Sequence, residues 1–383
     1  MFLICFFMHY HIILTENCNL RCRYCYEKSM AEFDNGLDKK FDFDFSDPED
    51  SIVSVDELRT FLSKDDDPVL IFYGGEPLMK IDKIVKIMDG LSDMKIRYRM
   101  QSNGVLLKNL PIEYLKKIDK ILISLDGDCE RTEFNRGIGT YDAVIDGLKW
   151  ARNNGYDGEI VARMTIAQEF PDLFEQVIHL VGLIDEGVFN SVHWQLDVGF
   201  YKEDYEFNKI RNFFDKYNES INRLIDWWIG EISEGKVYRL YPFVGIVKPL
   251  LDGIKNCGLR CGAGFAGYAI GTGGKVVHCP IMNNIENFKA GDLKSDVKDL
   301  KKFDCKDECG DCEVFGLCGG RCMYWRKSDL WPKDGNDMIC ESIKFYIGKI
   351  RLVMDKIKEL IKKGVICRED FEYEDYFGPE IIP

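Results

Sequence analysis

Residues 15–26 read Thr15-Glu16-Asn17-Cys18-Asn19-Leu20-Arg21-Cys22-Arg23-Tyr24-Cys25-Tyr26 and follow directly on a short apolar run, His11–Leu14. A run of that length bounded by polar residues is a strand signal. A thiol-rich loop at its end lies where repeated βα units collect their chemistry. Further strand signals recur at Val69–Tyr73, Ile96–Gln101, Lys120–Leu125, Ile160–Ile166 and Val192–Asp197. Between them, apolar residues spaced by three and four predict helices at Val55–Leu62, Ile81–Leu91, Ile112–Lys117, Tyr141–Asn153 and Asp172–Asp185. This alternation predicts an α/β fold with a parallel sheet. Six strands predict a partial (β/α)6 TIM barrel, because the two further units of a closed barrel are absent.

The 383-residue chain is 46% hydrophobic and carries a net charge of -14, with fifteen cysteines. The acidic balance leaves no basic surplus for a phosphate backbone, so nucleic acid is excluded as the expected partner. Fifteen is an odd number, and the cysteines are bunched at close intervals in a long chain. That pattern favours metal in a reducing, cytoplasmic compartment over a disulfide framework. The apolar start, Met1–Met8, lacks a basic flank and a small-residue cleavage site, and no run is long enough to span a membrane.

Three thiolates in one loop bind three irons of a cubane and leave the fourth open, whereas a structural zinc site closes itself with a fourth ligand. Taken alone, the loop also permits a zinc knuckle or buried thiols. The spacing of Cys18, Cys22, Tyr24 and Cys25 resembles the Cys-x3-Cys-x-aromatic-x-Cys motif of the radical S-adenosylmethionine (SAM) superfamily. The resemblance implies a [4Fe–4S] cluster whose open iron chelates SAM. Reduction then yields a 5′-deoxyadenosyl radical. Gly74-Gly75-Glu76-Pro77, Gln101-Ser102-Asn103-Gly104 and Ser124-Leu125-Asp126-Gly127 end successive strands and resemble the segments that line SAM in that family. Gly74, Gly75, Glu76 and Pro77 are expected at its amino group; Gln101, Ser102, Asn103, Ser124 and Asp126 at its ribose and methionyl end. Tyr24 is expected near adenine. Arg163, inside the fifth strand, can grip the SAM carboxylate bidentately, or can serve a structural ion pair. Asn135-Arg136-Gly137 also resembles members that carry extra clusters.

Beyond residue 256 the composition turns to Gly, Cys and short turns, which form little core without metal. Cys261, Gly274, Cys279, Cys309, Cys312, Cys318, Cys322 and Cys340 have the order and intervals of the SPASM domain, an auxiliary-cluster module. That resemblance implies two more [4Fe–4S] clusters, making three in all. Cys257, Cys261, Cys279 and Cys322 would hold the nearer, and Cys309, Cys312, Cys318 and Cys340 the farther. Cys305 competes with Cys257 as the eighth ligand. A zinc ribbon at Cys309, Cys312, Cys318 and Cys322 is the other reading, but it strands four cysteines. Cys5, Cys129 and Cys367 are left unassigned.

The expected organisation is an N-terminal extension (1–7), a radical SAM partial barrel (8–200), a helical bridge (201–256), a cysteine-rich auxiliary-cluster domain (257–341) and a helix with an acidic tail (342–383). Within it, Lys28–Asp50 reads as a solvated loop anchored by Phe side chains, Tyr205–Gly235 as one bridging helix, and Ser342–Lys363 as the last helix.

SPASM relatives mostly modify peptides. The expected function is therefore hydrogen-atom abstraction from a residue of a peptide or protein, giving a crosslink, an oxidation or an epimerisation, with electrons from a ferredoxin- or flavodoxin-type reductant. Seventeen residues before Cys18 leave no room for a winged-helix leader-binding domain, so a separate leader-binding protein is an expected partner. A sulfatase-type formylglycine maturase is an alternative, although Pro280 stands where those enzymes carry a base Asp. A radical enzyme on a small metabolite and an Fe–S electron carrier are the others. His193 alternates with Trp194 on the sixth strand and is the candidate acid or base.

Overall fold

The computed structural model describes residues 8–25, 36–254, 258–303 and 309–377. Cys5, Cys257 and Cys305 lie outside the described residues, and with them the choice of the eighth auxiliary ligand.

Six strands, β1 (His9–Ile13), β2 (Val69–Tyr73), β3 (Arg97–Ser102), β4 (Ile118–Ser124), β5 (Glu159–Ile166) and β6 (Ser191–Leu196), lie side by side in chain order and all parallel. The sheet does not close, which makes it the expected partial barrel. All five residues of β2, Val-Leu-Ile-Phe-Tyr, are buried, as a strand covered on both faces requires. The covering helices are α1 (Val55–Leu62), α2 (Ile81–Gly90), α3 (Ile112–Leu115), α4 (Cys129–Arg136), α5 (Thr140–Asn153) and α6 (Phe174–Asp185). Helix α1 begins where Ser54 and Glu57 form a reciprocal capping box. Helix α4 was not expected, because Cys-Glu-Arg-Thr-Glu-Phe-Asn-Arg has almost no apolar periodicity. Its start is set by Asp128, whose side chain accepts from the Arg131 N–H at 2.9 Å.

The sheet does not stop at six strands. β7 (Gly267–Ile270) pairs parallel with β1, and β8 (Lys275–Val277) and β9 (Lys289–Asp292) continue antiparallel, giving nine strands in one sheet. The cysteine-rich region is therefore joined to the barrel through the backbone ladder. Runs of three and four residues are too short for composition to reveal.

The expected bridging helix is present as one helix, and a further helix follows it. α7 (Phe207–Ser233) is followed by α8 (Tyr241–Asp252), which tolerates Pro242 in its first turn, where no N–H partner is needed, and ends at Gly253 with φ 67. After the short α9 (Phe315–Cys318) and α10 (Met323–Ser328), the last helix, α11 (Lys333–Lys362), begins well before Ser342. Its polar first turns hide it from periodicity, while Pro332 fixes its start. The insertion, over its described part, is a largely exposed loop anchored by Phe side chains, as expected. Phe41 is buried edge-on against Phe288 at 5.4 Å, and Phe43 bridges to Ile285.

Candidate active site

The loop carrying Cys18, Cys22 and Cys25 leaves β1 and is clamped by the loop after β2. Gly75 N–H donates to the Thr15 carbonyl and Glu76 N–H to the Asn17 carbonyl, both at 2.8 Å. A Cβ on Gly74 would run into the Thr15 oxygen, and one on Gly75 into the Asn17 oxygen. Gly74 also has φ +145. Both glycines are thus required by the close approach of these two loops. Glu76 is fully buried; it accepts from the Leu78 N–H at 2.9 Å, the Ser102 hydroxyl at 2.8 Å and the Asn103 N–H at 2.7 Å. Burial nonetheless pushes its carboxyl up to about 7. Asn103 then passes the contact on, its amide lying 3.7 Å from Cys18 Sγ.

Asp126, expected at SAM, commits both carboxylate oxygens to protein donors. Arg136 Nε and Nη2 donate at 3.0 and 2.9 Å, Asn135 Nδ2 at 3.1 Å and Thr165 N–H at 2.9 Å, and the Tyr24 hydroxyl donates as well. Asp126 is wholly buried, so these partners hold its charge. Burial raises the Tyr24 hydroxyl well above its usual range. Arg136 Nη1 reaches 4.0 Å from Cys22 Sγ. The fourth strand end thereby places a guanidinium beside the first cysteine loop.

A cavity of about 210 Å³ opens between the sheet and the cysteine-rich region. Of the residues predicted from sequence, Tyr24, Gln101 and Arg163 line it, together with Cys261, Cys279, Cys318 and Cys322. Gly74–Pro77, Ser102, Asn103, Ser124 and Asp126 are not among its lining residues. Arg163 donates to Gln195 Oε1 at 2.5 Å, and its Nη1 lies 3.3 Å from His193 Nδ1. These contacts follow from register, because Arg163 pairs with His193 across β5 and β6. His193 is fully buried and does not reach the cavity. Its place is beside Arg163, orienting the guanidinium.

None of the twelve described cysteines is in a disulfide. Cys261 and Cys279 flank the β7–β8 hairpin, whose turn at Gly274 needs φ 92. Gly274 thus lets the hairpin bring these two thiols toward each other. Cys279 feels the charges of Cys322 and Cys261, in that order, and Cys340 those of Arg321, Cys309 and Cys312. Cys318 is coupled to Arg321 and Cys340. Gly319, Gly320 and Arg321 are all left-handed, with φ 74, 90 and 65, so the backbone N–H groups of Gly320 and Arg321 turn onto Cys318. Burial raises Cys279 well above the usual thiol range and Cys318 to about 11. Among the described residues no three His, Cys, Asp or Glu side chains converge as a single-ion site. The thiols of Cys261, Cys279 and Cys322 lie close enough to feel one another's charge, and Arg321 sits among Cys340, Cys318, Cys322 and Cys309.

Sequence reasoning missed His11, Tyr73, Arg260, His278, Tyr376 and Phe377, all of which line the cavity. His9 and His11 alternate with apolar residues along β1, a period-two signal for one polar face. Nothing in the tail sequence points to the barrel interior.

Comparison with known proteins agrees with this geometry. A family model described as the Radical SAM superfamily matches residues 12–181. The chain is 24% identical over 92% of its length to the radical SAM cyclopropyl synthase TigE of Paramaledivibacter caminithermalis, covering 75% of that protein. It is 22% identical over 86% of its length to a cysteine-type anaerobic sulfatase-maturating enzyme of Clostridium perfringens, covering 92% of that enzyme. A solved structure of native anSMEcpe with bound AdoMet and Cp18Cys peptide superposes with a TM-score of 0.68 at 19% identity, covering 91% of this chain and 99% of that one. At that identity the likeness establishes the fold. No helix among the described residues is long and apolar enough to cross a membrane. Residues 12–181 match a radical SAM domain, a family that implies SAM and a [4Fe–4S] cluster.

Proposed function

We propose that the protein is a radical SAM enzyme that abstracts a hydrogen atom from a residue of a peptide or protein, installing a crosslink, an oxidation or an epimerisation. The observation that carries this reading is the cavity lined by Tyr24 and Arg163 on the barrel side and by Cys261, Cys279 and Cys322 of the cysteine-rich region. Cys18, Cys22 and Cys25 would hold a [4Fe–4S] cluster, which would supply the electron for reductive cleavage of SAM. Arg163, braced by Gln195 and His193, presents a guanidinium fork suited to a carboxylate. Arg136 counters negative charge beside Cys22. Cys257, Cys261, Cys279 and Cys322, and Cys309, Cys312, Cys318 and Cys340, would hold the two auxiliary clusters and carry the substrate's electron away. A ferredoxin- or flavodoxin-type protein would supply electrons, and a separate leader-binding protein would deliver substrate.

The relatives favour peptide chemistry: one is named a cyclopropyl synthase, another matures sulfatases, and one solved neighbour holds a peptide. Sulfatase-type maturation is the second reading, favoured by that fold likeness; against it, Pro280 lines the cavity. Anaerobic reconstitution followed by SAM and dithionite tests the proposal. About twelve irons per chain and 5′-deoxyadenosine above background are expected. A genome-neighbouring precursor peptide, co-expressed and weighed by mass spectrometry, should lose two hydrogens on crosslinking or oxidation and keep its mass on epimerisation. Absence of 5′-deoxyadenosine would overturn the radical reading.

A further inference from the structure

The inner face of the sheet carries, at the strand starts, three cations: Arg97, Arg99 and Lys120. Arg99 is 1% exposed and Lys120 5%. Glu159 answers Lys120 at 3.0 Å. Asp119 answers Arg99 at 3.2 Å and Asp67 lies 3.6 Å from Arg97, and both arginines are also answered from elsewhere in the chain. After a turn at Arg368–Phe371, the C-terminal tail enters the barrel, where Glu374 pairs with Arg97 at 2.6 Å and with Arg99. Despite partial burial, the two guanidinium groups hold the Glu374 carboxyl below its usual range.

The tail is anchored on both sides of this pair. Upstream, Phe371 is 1% exposed against Trp228, and the Tyr373 hydroxyl accepts from Arg260 Nη2 at 2.9 Å. Downstream, Tyr376 adopts φ 74, a left-handed turn that a bulky residue rarely takes unless its surroundings hold it. That turn sends Phe377 into the barrel. Its ring lies 6.1 Å from that of His11 and under the Arg99 guanidinium at 5.5 Å, while its carbonyl accepts from Lys120 Nζ at 3.3 Å. Tyr376 and Phe377 both line the cavity that Tyr24, Arg163 and Cys279 line from other sides.

We propose that the tail is the floor of the reaction cavity: Tyr376 and Phe377 set what the chamber admits, and Glu374, latched on Arg97 and Arg99, holds them in place. The barrel's six strands leave its lower end open, and a segment from the far end of the chain closes it with two aromatic rings. Glu374 acts through these rings and is a positioning residue. The consequence for chemistry rests on the radical SAM reading above, whereas the latch does not.

Two variants of the full reconstituted chain separate the parts. In Glu374→Gln the tail should loosen, so amide hydrogen exchange in residues 371–377 should rise about tenfold or more, the order expected for losing a charge-assisted pair to a buried guanidinium, while exchange in the barrel strands stays unchanged. In Phe377→Ala the latch remains, and exchange at residues 371–374 should stay slow. The opened floor should admit dithiothreitol, whose S–H can donate a hydrogen atom while dithionite supplies the electron, so 5′-deoxyadenosine formed from SAM, dithionite and dithiothreitol without added substrate should rise severalfold. Wild-type exchange in Glu374→Gln would overturn the latch. Unchanged substrate-free turnover in Phe377→Ala would overturn the floor. If the wild-type protein itself makes no 5′-deoxyadenosine, the SAM reading fails and the exchange result still decides the latch.

Discussion

Glu76 illustrates how a residue in a ligand-lining motif can also be structural. Two of its three bonds tie the β2 loop to the end of β3, yet burial raises the carboxyl from an ordinary 4.5 to about 7. A raised folded-state pKa means that the folded protein holds this proton more tightly than the unfolded chain does. The associated stability is present in full below about pH 4.5 and is lost as pH rises through about 7, by up to about 3 kcal/mol. Urea unfolding of the wild type and Glu76→Gln between pH 5 and 8 should show that slope only in the wild type. At the same scale, Asp126 and Tyr24 were legible as site residues from their motifs. Their mutual bond was not, since 102 residues separate them. His193 was legible as a polar residue on the inner face of a strand, but only packing revealed that it stops at Arg163.

At the scale of elements, the cysteine loop and the β2 loop form one unit. Gly74→Ala would place a methyl against the Thr15 carbonyl in a backbone conformation that L-residues avoid. The expected cost is about 2 kcal/mol or more. Because the displaced loop carries Cys18, reconstituted protein should also lose the EPR signal and roughly four irons of that cluster, with the others retained. The barrel strands and most of their helices were readable because Val, Ile and Leu runs and three-four spacing are local signals. The start of α11, helix α4 and strands β7 to β9 were not. Their formation depends on caps, on Pro332 and on a neighbouring strand edge more than on their own composition.

At the scale of the molecule, β7 makes the cysteine-rich region inseparable from the barrel. A chain ended at Ile254 would leave β1 without its ladder partners His9–Gly267 through Ile12–Ile270, exposing an apolar edge. Such a truncation should elute as aggregate in size-exclusion chromatography, whereas an independent domain would leave a monomeric barrel. The sequence by itself determined the class of fold, the cysteine groups and the superfamily, because strand periodicity and ligand spacing are written within a few residues of one another. Only the tertiary structure decided that one nine-stranded sheet runs through both regions, that Asp126 faces Tyr24 and Arg136, and that Glu374 and Phe377 meet the cations on the inner face of the sheet. Each of these joins segments far apart in the chain, and the buried charges and close backbone approaches that enforce them exist only once those segments meet.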